Sequence, residues 1–233
     1  MRWPLLIVVA AAMAAFVPAP ALAQSSAKAT TRPVGSPALA DAAAARRVDR
    51  SGWEPRRANR AANRTVPTRR QLRNFRQRSS MTYRRRVTGR FHGTTDQIIQ
   101  WAAHKHGVDE DVMRAVAVVE SWWRMSTVGD NGDSFGLYQL RRPWHCCVAL
   151  AKGSTAFNAD YYGAIIRAYY DGREIWLRHD RGSARYSAGD LWGSVGAWYA
   201  GQWHTAAAER YVTKVKAVLA DRVWRSRHFA GGR

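Results

Sequence analysis

Acidic residues and cysteines are the two scarce commodities of this 233-residue chain, which sets 17 Asp+Glu and 2 Cys against 37 Lys+Arg. The cysteines, Cys146 and Cys147, are neighbours, so they form no disulfide scaffold. An adjacent pair closes only a strained ring, which leaves free thiols, a vicinal disulfide and an intermolecular bridge all open. After the N-terminus no apolar run reaches the roughly 18 residues that a membrane-spanning helix needs. Metal-ligand spacings are lacking too. His104 and His106 stand two residues apart on different helix faces, and His92, His145, His179, His204 and His228 are scattered, so neither a metal nor another cofactor is expected. What is present is a 46% hydrophobic fraction with 11 Trp, enough for one folded core, and this excludes a wholly disordered chain.

The net charge of +20 is unevenly placed. Residues 1–23 read as a signal peptide: Arg2, an apolar run from Leu5 to Val17, Pro18 and Pro20, then Ala21-Leu22-Ala23 as a small-x-small cleavage pattern. The mature chain is therefore expected to be secreted, to a periplasm or an extracellular wall, with an uncleaved anchor as the alternative. Residues 24–90 hold 18 basic and 3 acidic residues, and their isolated apolar residues Trp53, Leu72 and Phe75 follow no sustained period. Such a stretch reads as a disordered basic linker. Its expected partners are anionic wall polymers or a membrane surface, met by unspecific attraction, with no specific nucleic acid.

From Phe91 the pattern changes to capped amphipathic helices. Thr94 and Gln97 form a capping box before Ile98, Ile99, Ala102 and Ala103, and Gly107 suits the end. Asp109 caps a second helix whose Val112, Met113, Val116, Val119 and Trp123 recur every three or four residues. Asn158 starts a third running to Gly172, Asp190 a fourth running to Gly201, and Thr205 a fifth through Tyr211, Val215, Val218 and Leu219. Between the second and third, Asp130-Asn131-Gly132-Asp133 predicts a tight turn and a small hairpin. The expected fold is α+β and mostly α: a domain over residues 91–233 with five to seven helices and one short hairpin walling a cleft, as a monomer.

Glu120 carries the chemical signal. It lies four residues after Val116 and three after Ala117, which turns it toward the apolar stripe. Desolvation there raises a carboxyl pKa and keeps a proton available for transfer near neutral pH. The bland alternative pairs Glu120 with Arg124 one turn later on the helix surface.

Three blocks then carry a resemblance. Glu120-Ser121, Gly136-Leu137-Tyr138-Gln139-Leu140 and Ala197-Trp198-Tyr199-Ala200-Gly201 resemble, in order and spacing, the soluble lytic transglycosylase domains of the lysozyme-like superfamily, over about residues 94 to 220. The resemblance implies a lysozyme-like fold, Glu120 as catalytic acid/base, and peptidoglycan glycan strands as substrate. It also implies a cleft lined by Ser121, Gly136, Tyr138, Gln139 and Trp198. The reaction implied is cleavage of the β-1,4 bond after N-acetylmuramic acid to give a 1,6-anhydro end, without water or a second carboxylate. Where that family has Tyr-Asn, this chain has Trp198-Tyr199. A one-residue shift turns a side chain by about 100°, so either Tyr199 supplies the family's hydroxyl from the next position or Trp198 lines the cleft without it. The stretch Gly129 to Gln139 is in addition similar to goose-type lysozymes, which implies Asp130 as a second carboxylate for an inverting muramidase. Those enzymes have an Asp where this chain has Arg141, so that match is incomplete. A catalytically inactive glycan-binding or anionic-polymer-binding protein is the non-enzymatic alternative.

Overall fold

The computed structural model describes residues 28–142, 144–179 and 184–231; the signal-peptide pattern at 1–23 lies outside them. Among the described residues, ten α-helices and one small sheet make an α+β fold that is mostly α. They run α1 (Asp41–Ala45), α2 (Arg60–Arg64), α3 (Arg69–Arg78), α4 (Thr95–His106), α5 (Glu110–Ser121), β1 (Val128–Gly129), β2 (Ser134–Phe135), β3 (Leu140–Arg141), α6 (Val148–Gly153), α7 (Thr155–Tyr170), α8 (Leu191–Ala200), α9 (Ala206–Ala220) and α10 (Arg227–Ala230).

Helix α7 is the axis of the core, with every residue from Thr155 to Tyr169 buried. Helices α2, α4, α6 and α8 pack on it, and α9 closes the far side against α5 and α8. A Cβ added at Gly163 of α7 would stand 2.8 Å from the His106 ring of α4, so glycine sets how closely this pair approaches. Local signals set the helix ends. Thr94 and Gln97 form the capping box of α4, which ends at left-handed Gly107; Asp109 accepts from Asp111 and Val112 at the start of α5. Asp190 and Thr205 cap α8 and α9, and left-handed Gly201 ends α8. One start differs: α7 begins at Thr155 under the Ser154 hydroxyl, one turn before Asn158, which is wholly buried inside the helix. The hairpin is three two-residue strands in order β1-β2-β3, antiparallel, pairing Val128 with Phe135 and Phe135 with Leu140.

The disordered basic linker expected over residues 24–90 is overturned for its described part, residues 28–90. Ala29, Ala44, Val48, Leu72, Phe75, Met81 and Val87 are buried in the same core as the helices that follow. Phe75 of α3 sits edge-on to Phe157 of α7 at 5.2 Å. The backbone is held as firmly as the side chains. Arg167 of α7, fully buried, donates to the carbonyls of Arg32 and Pro33, and Asp171 accepts from Gly35 N at 2.8 Å. Asp160 accepts from Thr88 N at 2.7 Å and Gly89 N at 2.9 Å. The domain therefore begins well before residue 91.

Candidate active site

Helix α5 delivers Glu120 in its last turn, where the unpaired carbonyls of a helix C-terminus already disfavour a negative charge. The next two residues, Trp122 and Trp123, both adopt left-handed backbone angles, with φ of 55° and 59°. Their amides bond back to Val118 O at 2.9 Å and Ala117 O at 3.2 Å, which stops the helix abruptly. Left-handed backbone costs roughly 1–2 kcal/mol for a residue with a Cβ, so this corner needs outside support. Ser121 gives part of it: its buried hydroxyl donates to Leu137 O at 2.7 Å and ties α5 to the hairpin.

Two residues from elsewhere in the chain converge on the Glu120 carboxyl. The Tyr211 hydroxyl of α9 donates to Oε1, and the Trp198 side chain of α8, whose indole N–H is a donor only, hydrogen-bonds to it as well. Burial pushes the Glu120 pKa up to about 7; the Tyr211 and Trp198 hydrogen bonds pull it down, and the negative charge of Asp130 adds to the rise. The residue is half-buried, so one side of it remains open. Glu120 is therefore a carboxyl whose proton affinity burial raises toward neutral pH, with two fixed donors ready for its anion.

Behind this group lies an aromatic wall. Trp198 stacks on His145 at 5.2 Å and stands edge-on to Tyr162 at 5.1 Å, while Tyr162 stacks on Tyr138 at 4.1 Å. Burial lowers the His145 pKa to about 4, so the ring is neutral and bonds through Nδ1 to the Tyr161 hydroxyl at 3.0 Å. The Tyr162 hydroxyl is buried near Glu120 and has no hydrogen-bond partner among the described residues.

The remaining expected site residues divide. Tyr199 is 60% exposed and stacks its ring on Tyr211 at 4.6 Å; its neighbour Trp198 is the one turned inward, and Tyr211 supplies the hydroxyl at Glu120. The 100° step between adjacent helix residues separates them, so Tyr199 does not serve the carboxyl. Tyr138, expected in the cleft wall, is wholly buried and donates to Met113 O at 3.1 Å. Gly136, with φ of 76°, is buried and enclosed: a Cβ there would meet Asn158 Nδ2 at 2.4 Å, so glycine is required by the turn. Ser121 is likewise a tie and not a cleft residue. Gln139 is half-buried and braces the hairpin, donating through Nε2 to Gly136 O at 2.8 Å and Thr127 O at 3.1 Å. Asp130 is exposed at the turn, accepting from Ser134 Oγ at 2.5 Å and lying 3.6 Å from Arg141 Nε.

Tyr211 and Asn158 are the site residues that sequence reading passed over. Tyr211 was one position of the α9 stripe, but a buried tyrosine hydroxyl requires a partner, and that requirement was the usable signal. Asn158 ties the hairpin backbone to α6, accepting from Tyr138 N at 2.9 Å and donating to Phe135 O at 3.0 Å and to Ala151 O of α6 at 2.9 Å. Among the described residues no three His, Cys, Asp or Glu side chains are grouped to hold a metal ion, and no helix is long and apolar enough to cross a membrane. Comparison with protein-family models, curated proteins and solved structures gave no match to this chain.

Proposed function

We propose that the protein is a peptidoglycan-cleaving enzyme with a lysozyme-like fold, a lytic transglycosylase acting on the β-1,4 bond after N-acetylmuramic acid. The observation that carries this reading is Glu120: a half-open carboxyl with a pKa of about 7, gripped by Tyr211 and Trp198. Protonated, it delivers its proton to the leaving glycosidic oxygen; ionised, it is stabilised by those two donors as the sugar develops oxocarbenium character. The same carboxylate then takes the proton of the muramyl C6 hydroxyl, which closes the anhydro ring. No second carboxylate is needed.

One observation favours the inverting muramidase as a second reading, namely that Asp130 is near enough for its charge to act on Glu120. Its pairing with Ser134 and Arg141 on the surface favours the first. Digestion of purified peptidoglycan with mass spectrometry of the muramic ends decides between them. Anhydro ends support the transglycosylase; reducing ends abolished by Asp130→Asn support the muramidase. Binding without muropeptide release favours an inactive glycan-binding module. Glu120→Gln is expected to lower turnover by about 10²–10⁴-fold, the usual scale of general acid–base catalysis. The fold is expected to survive, because the amide removes a desolvated charge.

The export pattern at 1–23 supports a secreted or periplasmic setting, with the protein as a monomer. Between 57 and 78 there are eight arginines and no acidic residue, and none of the eight forms an ion pair among the described residues. That surface would hold the enzyme against anionic wall polymers or a membrane surface.

A further inference from the structure

Two chain segments far from Glu120 in sequence meet at the corner that follows it. Arg56 is 5% exposed, and its guanidinium donates from Nε to Trp122 O at 2.7 Å and from Nη1 to Phe229 O at 2.7 Å. It also lies over the Phe229 ring at 3.9 Å. Asn59, 2% exposed, grips the next residues from both sides: Nδ2 donates to Trp123 O at 2.7 Å, and Oδ1 accepts from Met125 N at 2.9 Å. Phe229 of α10 completes the enclosure, with ring centroids 5.2 Å from Trp122 and 5.1 Å from Trp123.

These contacts fall on the carbonyls of the two left-handed residues immediately after the catalytic helix. A helix end normally frays, and left-handed tryptophans make this one costlier to keep. Here both carbonyls are taken by buried side chains of the segment that sequence patterning reads as a linker.

The geometry points to Arg56 and Asn59 as positioning residues for Glu120: by clamping the Trp122-Trp123 corner they hold the last turn of α5, and with it the carboxyl, against Tyr211 and Trp198. This rests on the proposed role of Glu120 and deepens it. Neither residue touches the carboxyl, and the Arg56 charge is not among the groups that shift it. The groups that face Glu120 are Tyr211 of α9, Trp198 of α8, Asp130 of the turn and Tyr162 of α7. The clamp acts through the backbone. If the last turn frays, water reaches the carboxyl and its raised proton affinity falls.

The test reads that affinity directly. Arg56→Lys keeps the charge and removes the fork that spans Trp122 and Phe229; Asn59→Ser removes the two-sided grip. In the full chain, the Glu120 carboxyl is titrated by carbon-13 NMR without substrate, beside the melting temperature. The clamp predicts a midpoint lowered by about one pH unit, a tenfold loss of proton affinity, in both variants, with the alkaline limb of the cleavage profile moving with it. Folded variants that melt earlier but titrate at the wild-type midpoint overturn it, since a purely structural tie lowers stability alone. Because the titration needs no substrate, a wild-type protein that releases no muropeptide overturns the functional reading without touching this measurement. If neither variant folds, amide exchange in the wild-type protein decides. Protection at Trp122 and Trp123 equal to mid-α5 is expected, and exchange at the rate of a frayed end overturns the clamp.

Discussion

Residues 28–90 and the helices from Thr95 onward share one core but enter it by different means. Helices α4 and α5 bring continuous apolar faces, Ile98, Ile99, Ala102 and Ala103 on one and Val112, Met113, Val116 and Ala117 on the other, all buried. The earlier segment brings single anchors such as Leu72 and Phe75, and its backbone is held between them by side chains of the helices. Glu110 takes Ala29 N at 3.1 Å, Gln100 takes Asp49 N at 2.9 Å, and Asp160 takes Thr88 and Gly89. The instructions for placing the segment are thus written in buried polar residues of α4, α5 and α7. If so, removing either side of this arrangement damages the other.

The largest effect follows from removing the segment itself. Deletion of residues 28–90 strips the cover from α4 and α7 and leaves Arg167, Asp160 and Asp171 buried in part without their partners. Such groups cost several kcal/mol each when orphaned, comparable to the whole stability of a domain. The truncated chain is expected to show no cooperative unfolding transition by circular dichroism. A sharp transition with the native helical signal would show that the segment is the passive layer its composition suggests.

A single buried residue tests the same contrast on a smaller scale. Burial alone would raise the Asp160 pKa, but Lys105 at 2.7 Å and His106 at 2.6 Å hold the carboxyl well below the usual range. Asp160→Asn leaves Lys105 paired only with the partly exposed Asp41 and is expected to cost about 3–5 kcal/mol in denaturant unfolding at pH 7. The sign of the pH dependence is fixed by the lowered pKa. The contribution is complete above the ordinary aspartate value and is lost progressively as pH falls from there toward the depressed folded value, so the gap between wild type and variant narrows in acid. An undiminished gap at pH 3 would point to packing instead of charge.

This division explains what could be read from the sequence. Thr94 with Gln97, Asp109, Asp190, Thr205 and the Asn131-Gly132 turn are local devices, and each sits where its spacing puts it. Glu120 was legible because a carboxylate on an apolar stripe is a local contradiction. Residues 28–90 were not legible, since Arg167 reaches Pro33 across a separation that no period encodes. Tyr211 escaped for the same reason, meeting Glu120 from another helix. Tyr138 was placed in the cleft by the resemblance of its block and lies in the core, because a matching motif does not tell a buried aromatic wall from an open one.

On the stripe side of the comparison, losses should be graded and local. Ile98 is fully buried in α4, and Ile98→Val removes one methylene from a close-packed face. The expected cost is about 0.5–1.5 kcal/mol, without the pH dependence of the Asp160 variant. Parallel unfolding curves at pH 7 and pH 4 check this. A cost that varies with pH would mean that the stripe and the buried charges are one network.

The smallest effect on stability belongs to the outer face of the same early segment. On α3, Leu72 and Phe75 are buried while Arg69, Arg70 and Arg73 are exposed, so one short helix separates anchoring from surface charge. Replacing the three arginines with Gln removes no buried contact, and surface changes of this kind usually stay within about 0.5 kcal/mol each. The melting temperature is therefore expected to move little. Attraction to a polyanion is a different matter, because each cation that neutralises an anionic group steepens the salt dependence of binding. On a matrix carrying an anionic phosphate polymer, the triple variant should elute at distinctly lower salt than the wild type, and the glycan cleavage proposed for Glu120 should be unaffected on short soluble substrates. Elution at unchanged salt would move the binding surface to another part of the basic segment. A marked fall in melting temperature would show that the outer face of α3 shares the anchoring role of its inner one.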